Sequence, residues 1–387
     1  MKRIVVIIIY VTLVRINIIE AGYFDLLTNA VSGVWCQAFE CCDSTWENAD
    51  VSRLDYELAE KLYGQHIAHD LIVNAIRSHV KGNNHKPLVM SFHGWPGGGK
   101  NYVTKFIMKN LFKNGETDKH VHIFSGKAHF PLIEEVYLYQ HQLKTWIRGN
   151  VSRCSTSMFV FDEVDKMPPG VFDSMKPYLD HHGWFDHVDF RNAIFIFLSN
   201  TGSNVITRTM IELYKNGRKR NDLKLSDFEN LIASGAFNEK VTRAVVMLVM
   251  TEIKKRVKGN LTVLFNQIVR VSLTCRSSFP GLQRRLSSSL PCTGGLHGSD
   301  TIAGNVIDHY VPFLPLEEEH VKKCVRDAFE SKTSQLPSNS DLEEVLEYLT
   351  YGPEEMKIFS NSGCKRVSQK VATVVEKKRY PPRRTEL

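Results

Sequence analysis

Two rhythms of apolar residues run along the chain. Short apolar runs at Leu88 to Phe92, Val121 to Phe124, Met158 to Phe161 and Ala193 to Leu198 have the length of buried strands. Between them the spacing turns helical. Val103, Phe106, Ile107 and Leu111 recur after the first strand, and Val136, Tyr139, Leu143 and Ile147 form one stripe within Glu134 to Arg148. Leu54 to Val80 reads as a helical stretch, and Phe172 to Leu179 as the start of a helix leaving the third strand. Residues 22–50, with Phe24, Leu26, Leu27, Val31, Val34 and Trp35, fit an amphipathic segment ahead of the main domain. Buried strands alternating with helices predict an α/β fold with a parallel sheet and ligands at the carboxyl ends of its strands.

Composition adds bounds. A chain of 387 residues, 43% hydrophobic and 24% charged, has room for a sizeable core and more than one domain. The net charge of +7 is unevenly placed: Val241 to Cys292 holds nine Lys or Arg and one Glu, so the remainder sums to −1. A basic surface is therefore no property of the motif-bearing part, and no nucleic-acid partner is expected. Met1-Lys2-Arg3 followed by Ile4 to Val14 has the charge and length of a secretory signal, with residues 1–21 removed near Ala21 or Gly22. The alternative is a retained segment giving peripheral membrane association. Secretory entry permits disulfides among the eight cysteines, whose spacing resembles no zinc site and is too sparse for a disulfide scaffold. It also makes the sequons at Asn150 and Asn260 candidate glycan acceptors.

The chemistry gathers at the predicted strand ends. Leu88 to Phe92 leads into Gly94-Trp95-Pro96-Gly97-Gly98-Gly99-Lys100-Asn101, a complete G-x4-G-K pattern followed by helical spacing. Strand, glycine loop and helix is the context of a phosphate-binding P-loop. Glycines let backbone N–H groups turn in around phosphate oxygens, the new helix aims its positive end at the same anion, and Lys100 reaches the β- and γ-phosphates. Asn101 stands where Ser or Thr usually ligates Mg²⁺. An amide holds the metal only through its carbonyl or a water, so altered metal binding is expected. The strand Met158 to Phe161 ends in Asp162-Glu163. Asp162 is the candidate metal residue and Glu163 the candidate general base for an attacking water. The strand Ala193 to Leu198 ends in Ser199-Asn200, placing a third polar group where it could orient that water. Singly, an acid pair or an Asn after a strand is an ordinary turn; together with a P-loop they form both halves of an ATPase site.

The segments HGWPGGGKN, IRGNVSRC, FVFDEVDKM, KPYLDHH, AIFIFLSN, YVPFLPLE and SGCK resemble, in this order, those of torsins, AAA+ ATPases of the endoplasmic reticulum lumen and nuclear envelope. The resemblance implies an AAA+ large domain over residues 51–314, with Ile307 to Phe313 as its last strand. It also implies a small helical domain over 315–387, with helices at Glu317 to Phe329 and Leu342 to Leu349. It implies ATP and Mg²⁺ as ligands, Asn200 as first sensor, Lys365 as second sensor, and Gly64-Gln65 as the segment closing over adenine. Cys364 matches a cysteine that in torsins pairs with one at the position of Cys324, which would make nucleotide response redox-dependent; two buried free thiols are the alternative. Clp-type relatives carry an arginine finger in Asn-Arg-Ile-Asp, whereas here the run is Asn305-Val306-Ile307-Asp308. The resemblance therefore implies weak hydrolysis alone, an arginine lent by a membrane-anchored AAA-like activating cofactor, a homo-oligomer, and remodelling of an unknown client. An ATP-gated binding protein without turnover is the rival reading.

Val241 to Cys292 has no family resemblance. Two readings stand: a basic amphipathic insertion that weakens docking of partners, or an unspliced intron translated into protein. The tail from Lys377 to Leu387 is basic and proline-containing and reads as mobile.

Overall fold

The computed structural model describes residue 42 and residues 45–180, 183–235, 306–354 and 356–380. The signal segment, residues 22–41 and 43–44, the 241–292 block, Asn260 and residues 381–387 lie outside the described residues. Met1–Asp43 and Ser44–Leu387 are separate compact units.

The centre of the second unit is a five-stranded, wholly parallel sheet. The strands are β1 (Leu88–Gly94), β2 (Val121–Ser125), β3 (Met158–Asp162), β4 (Ile194–Ser199) and β5 (His309–Phe313), in the order β2-β3-β4-β1-β5. Side chains alternate between the two faces. Met90, Phe92, Val160, Ile196 and Leu198 face a core shared with helices α1 (Val51–Lys61), α2 (His66–Val80) and α3 (Lys100–Leu111). Phe159, Phe161, Phe195 and Phe197 face the opposite core, which takes Tyr139, Leu143 and Ile147 from α4 (Val136–Val151) and Ile206 from α5 (Ser203–Lys215). The alternation of Phe with Ile or Val in β3 and β4 puts every phenylalanine on that one side. Phe159 stacks on Phe195 at 5.0 Å and Phe161 on Phe197 at 5.3 Å, each pair contributing about 0.5–1.5 kcal/mol beyond its buried area.

Several boundaries differ from the sequence expectation. The stretch Leu54 to Val80 is two helices, broken at Leu62–Gln65, where Gly64 takes φ +68°, a value that stops a right-handed helix. Phe172 to Leu179 is half 3₁₀ turn, from the stretch Val171–Met175, and half α-helix, Lys176–Leu179. The last strand starts at His309 rather than Ile307. Ahead of it Val306 is buried in the core, and its carbonyl accepts from Lys86 Nζ at 2.9 Å. Trp46, within the segment expected to precede the large domain, is buried in that domain's core. A hairpin pairs the exposed Trp184–Phe185 with Val188–Asp189, where Val188 is buried.

The small domain packs α6 (Glu318–Thr333), α7 (Asn339–Glu347) and α8 (Val367–Arg379) around Val321, Val325, Val345 and Val371. Lys377 to Arg379, expected in the mobile tail, form the last turn of α8, where their charge complements the helix dipole.

Candidate functional site

The parallel register brings the chemical motifs to one sheet edge. His93 of β1 lies level with Ser199 of β4, and Phe161 of β3 with Phe197 of β4, so the P-loop, Asn200 and Asp162-Glu163 leave three adjacent strands side by side. Pro96, the three glycines 97–99, Lys100, Asn101, Asp162, Glu163, Asn200 and Lys365 line one cavity of about 630 Å³. Cys324 and Cys364 also line it.

Lys100 opens α3 and is 6% exposed. Its ammonium donates to the carbonyls of Gly94 at 2.6 Å and Trp95 at 3.1 Å and to Asn200 Oδ1 at 3.1 Å. Burial pulls its pKa down to about 8, with the charges of Asp165 and Asp162 opposing the shift and that of Lys365 adding to it. Its three acceptors are neutral oxygens. A buried ammonium held this way is electrostatically incomplete, and a polyphosphate would complete it. The glycines form the cradle. Gly97 (φ +82°) and Gly99 (φ +112°) adopt conformations L side chains rarely reach, and a Cβ at Gly97 would sit 1.9 Å from the Ser362 carbonyl.

Opposite Lys100, Asn101 Nδ2 donates to Asp162 Oδ2 at 2.6 Å, and the Glu163 N–H donates to Asp162 Oδ1 at 2.8 Å. Asp162 offers carboxylate oxygens of the kind Mg²⁺ takes, whereas Asn101 turns its N–H toward them and would have to turn its carbonyl to join them. Glu163 sits in the left-handed region at φ 55°, ψ 41°, uncommon for a residue other than glycine and typical of functional turns. Ser125 Oγ, at the tip of β2, donates to Glu163 Oε2 at 3.4 Å. The backbone of Glu163 comes so close to Gly126 that a Cβ there would lie 2.3 Å from the Glu163 carbonyl.

The small domain reaches the P-loop through Gly363-Cys364-Lys365. The Cys364 N–H donates to the Gly97 carbonyl at 3.1 Å, and a Cβ on Gly363 would meet that carbonyl at 2.3 Å. A disulfide joins Cys364 to Cys324 of α6, so the bonded alternative is the one found. Cys42 and Cys154 are disulfide-bonded as well.

Gly64, Gln65, Gly94 and Trp95 do not line the cavity; they brace it. Gln65 donates to the carbonyls of Gly98 at 2.9 Å and Leu314 at 2.8 Å and accepts from the Leu314 N–H at 2.8 Å, tying the P-loop to the hinge before the small domain. Trp95 donates through its indole N–H to Thr207 of α5 at 2.8 Å. Asn150 lies in the last turn of α4, its side-chain amide donating to the Trp146 carbonyl at 2.8 Å.

Sequence reasoning missed four participants. Asp165 accepts from the Asn200 N–H at 3.1 Å and holds Asn200 in place; its signal was the third acid of FVFDEVDKM. Ser125 had none beyond its place after a strand. Tyr63 and Asp327 line the cavity and bond to each other at 2.8 Å across 264 residues, a pairing no local pattern announces.

Comparison with known proteins gives the family. The family description "Torsin" matches residues 36–161, and "Torsin-1A, C-terminal domain" matches residues 316–373. A torsin-like protein of Caenorhabditis elegans is 36% identical over 91% of this chain and 84% of its own length. A torsin-like protein of Drosophila melanogaster is 32% identical over 88% of this chain and 86% of its own. Among solved structures, the Saccharomyces cerevisiae Hsp104–ADP complex aligns with a TM-score of 0.46 at 17% identity, covering 85% of this chain and 47% of that one. Hsp104 with ATPγS and casein aligns with the same TM-score at 15% identity. The first matched segment carries the P-loop and the second the Lys365 turn, and the relatives run through nearly all of the chain: it belongs to the torsin family.

Proposed function

We propose that the chain binds ATP with Mg²⁺ and hydrolyses it when a membrane-anchored, AAA-like activating cofactor supplies an arginine finger. The observation that carries this reading is the convergence of Lys100, Asp162, Glu163, Asn200 and Lys365 on one cavity. Lys100 and the P-loop amides neutralise and orient the β- and γ-phosphates. Glu163, steadied by Ser125, takes the proton of the attacking water as general base. Asn200, fixed by Asp165, holds the γ-phosphate side, and Lys365 brings the small domain to the same phosphate. Asp162 and Asn101 would hold Mg²⁺, which when bound neutralises phosphate charge.

A second cation at the developing γ-phosphate charge is worth about 10³–10⁵ in rate. Val306, at the position of the Clp-type finger, is buried and apolar, which favours a finger lent by the cofactor. The output of the cycle is remodelling of a protein or membrane assembly by a homo-oligomer in the endoplasmic reticulum lumen and perinuclear space. Disulfides at Cys324–Cys364 and at Cys154 suit that oxidising compartment, and glycosylation at Asn150 and Asn260 would accompany it. Among the described residues no helix is long and apolar enough to cross a membrane.

The test is ATP turnover by the purified chain with and without the lumenal domain of such a cofactor. Slow turnover alone, a large increase with cofactor, and a stable ATP-bound complex in Glu163→Gln are expected. Full unaided turnover overturns the borrowed arginine. ATP binding without turnover in any mixture, with Glu163→Gln behaving like the parent, establishes the ATP-gated binding protein instead, a reading also motivated by Val306.

A further inference from the structure

Arg220 lies in a short turn beyond α5, and its side chain is only 8% exposed. Its Nε and Nη2 both donate to the Gly64 carbonyl, at 3.0 and 2.6 Å. Its Nη1 donates to the Pro315 carbonyl at 3.1 Å and to Glu317 Oε1 at 2.8 Å. Glu317 Oε1 also accepts from the Tyr214 hydroxyl at 2.6 Å. One guanidinium thus joins three segments far apart in sequence: the break between α1 and α2, the hinge into the small domain, and the end of α5.

Arg220 and Glu317 do not line the cavity, but the neighbours of the groups they hold do. Leu62 and Tyr63 precede Gly64, and Leu316 follows Pro315. These three give the cavity an apolar and aromatic wall, chemically unlike its charged lining at Lys100, Asp162 and Glu163. Burying a guanidinium is a poor route to stability, since well-packed apolar residues usually do as well. What the planar fork adds is direction: it fixes two carbonyls from different segments at one separation. Gly64 has no room for a side chain, because a Cβ there would lie 2.5 Å from His320 Cδ2 and 3.0 Å from Arg220 Nη2. At its other end α5 bears Thr207, which holds Trp95 of the P-loop. One helix therefore touches the bracing of both ends of the cavity.

We infer that Arg220 is a positioning residue for the nucleoside end of the site, holding the Leu62–Gly64 wall against the Leu316 wall so that base and sugar are gripped while the phosphates are held independently. This rests on the ATP-binding reading above and adds the residue that makes the site select a nucleotide over a bare polyphosphate.

The test compares titrations of the full chain with ATP and with inorganic tripolyphosphate. Arg220→Lys keeps the charge but loses the planar fork that fixes the two carbonyls at one separation. It should weaken ATP binding roughly tenfold through faster release and leave tripolyphosphate binding unchanged to within about twofold. Tyr214→Phe, which removes one hydroxyl contact, should show the same pattern at about threefold and serves as the arm if Arg220→Lys does not fold. Lys100→Ala should lose both ligands. Unchanged ATP affinity in the Arg220 and Tyr214 variants, or an equal loss of ATP and tripolyphosphate, overturns the inference. A parent chain that binds neither ligand refutes the ATP-binding reading itself, and this inference with it, without reference to Arg220.

Discussion

The two ends of the cavity are built differently. Apart from Lys365, which the small domain brings in, the phosphate end is made of strand tips and the loop that follows one of them, so those parts are close in sequence to the strands that aim them. Its forces are those of charge: a buried lysine at about pKa 8, two acids, and backbone dipoles. The nucleoside end is made of a helix break and a hinge, joined by contacts such as Gln65 to Leu314 across 249 residues. Its forces are directional hydrogen bonds to backbone carbonyls. The lesson is that the phosphate end should fail when a charge or a glycine is altered, whereas the nucleoside end should fail only when a hydrogen-bond direction is altered.

The largest break expected is at Asp162. Asp162→Asn keeps the shape but removes the negative charge, and it leaves one oxygen where two accept from Asn101 and the Glu163 N–H. Cofactor-stimulated hydrolysis should fall by roughly 10² or more, while nucleotide binding without Mg²⁺ changes little. Equal losses in both assays would show that Asp162 acts through structure rather than charge.

Next comes Gly97→Ala. A left-handed conformation costs an L residue roughly 1–2 kcal/mol, and the new methyl would collide with the Ser362 carbonyl, so the Lys365 turn must move. ATP affinity should drop at least tenfold, measured by titration. The neighbouring Gly98→Ala, whose Cβ would stand 3.3 Å from the Trp95 carbonyl, should be milder. If the two variants are equal, the small-domain turn does not rest on the P-loop as described.

Removing the Cys324–Cys364 bridge, which spans 40 residues, should destabilise the small domain by about 2–4 kcal/mol. It should also loosen the contact between Cys364 and Gly97. Thermal melts of Cys324→Ala and Cys364→Ala together, with and without ATP, read both effects. An unchanged melt would show that α6 holds the turn without the bond.

The smallest expected effects are those of pH. Burial depresses Lys100 from 10.5 to about 8, so between those values the unfolded chain binds the extra proton and stability rises with pH. The stability gap between the parent and Lys100→Met should therefore shift by pH 9.5 in the parent's favour. Protonated Lys100 is what a triphosphate attracts, so ATP affinity should fall over the same range. At the acid side, burial lowers His93 to about 3 and His320 to about 4 from 6.5. Their contribution is complete above pH 6.5 and is lost as pH falls toward those values. Urea melts at pH 7 and pH 5 should show the loss, and substituting either histidine by a neutral residue should reduce it.

Legibility in the sequence followed the same division. The P-loop, Asp162-Glu163 and Asn200 could be read because each follows an apolar run whose length fixes where the chain turns. Lys365 was reached through family resemblance, since nothing local marks a lysine after a Gly-Cys pair. Arg220, Tyr63 and Asp327 were unreadable because their partners are set by how the small domain packs. The helix break at Gly64 was hidden for another reason: apolar residues on both sides keep a helical spacing, and only the backbone shows that Gly64 leaves the right-handed region.

The most direct measurement is a calorimetric titration of the full chain with ATP and Mg²⁺ beside Lys100→Ala. A single site that weakens at least about a hundredfold in the variant, with its melting temperature held or raised, is the predicted result. Equal affinity in the two proteins, or no binding to either, would contradict a triphosphate seated against Lys100.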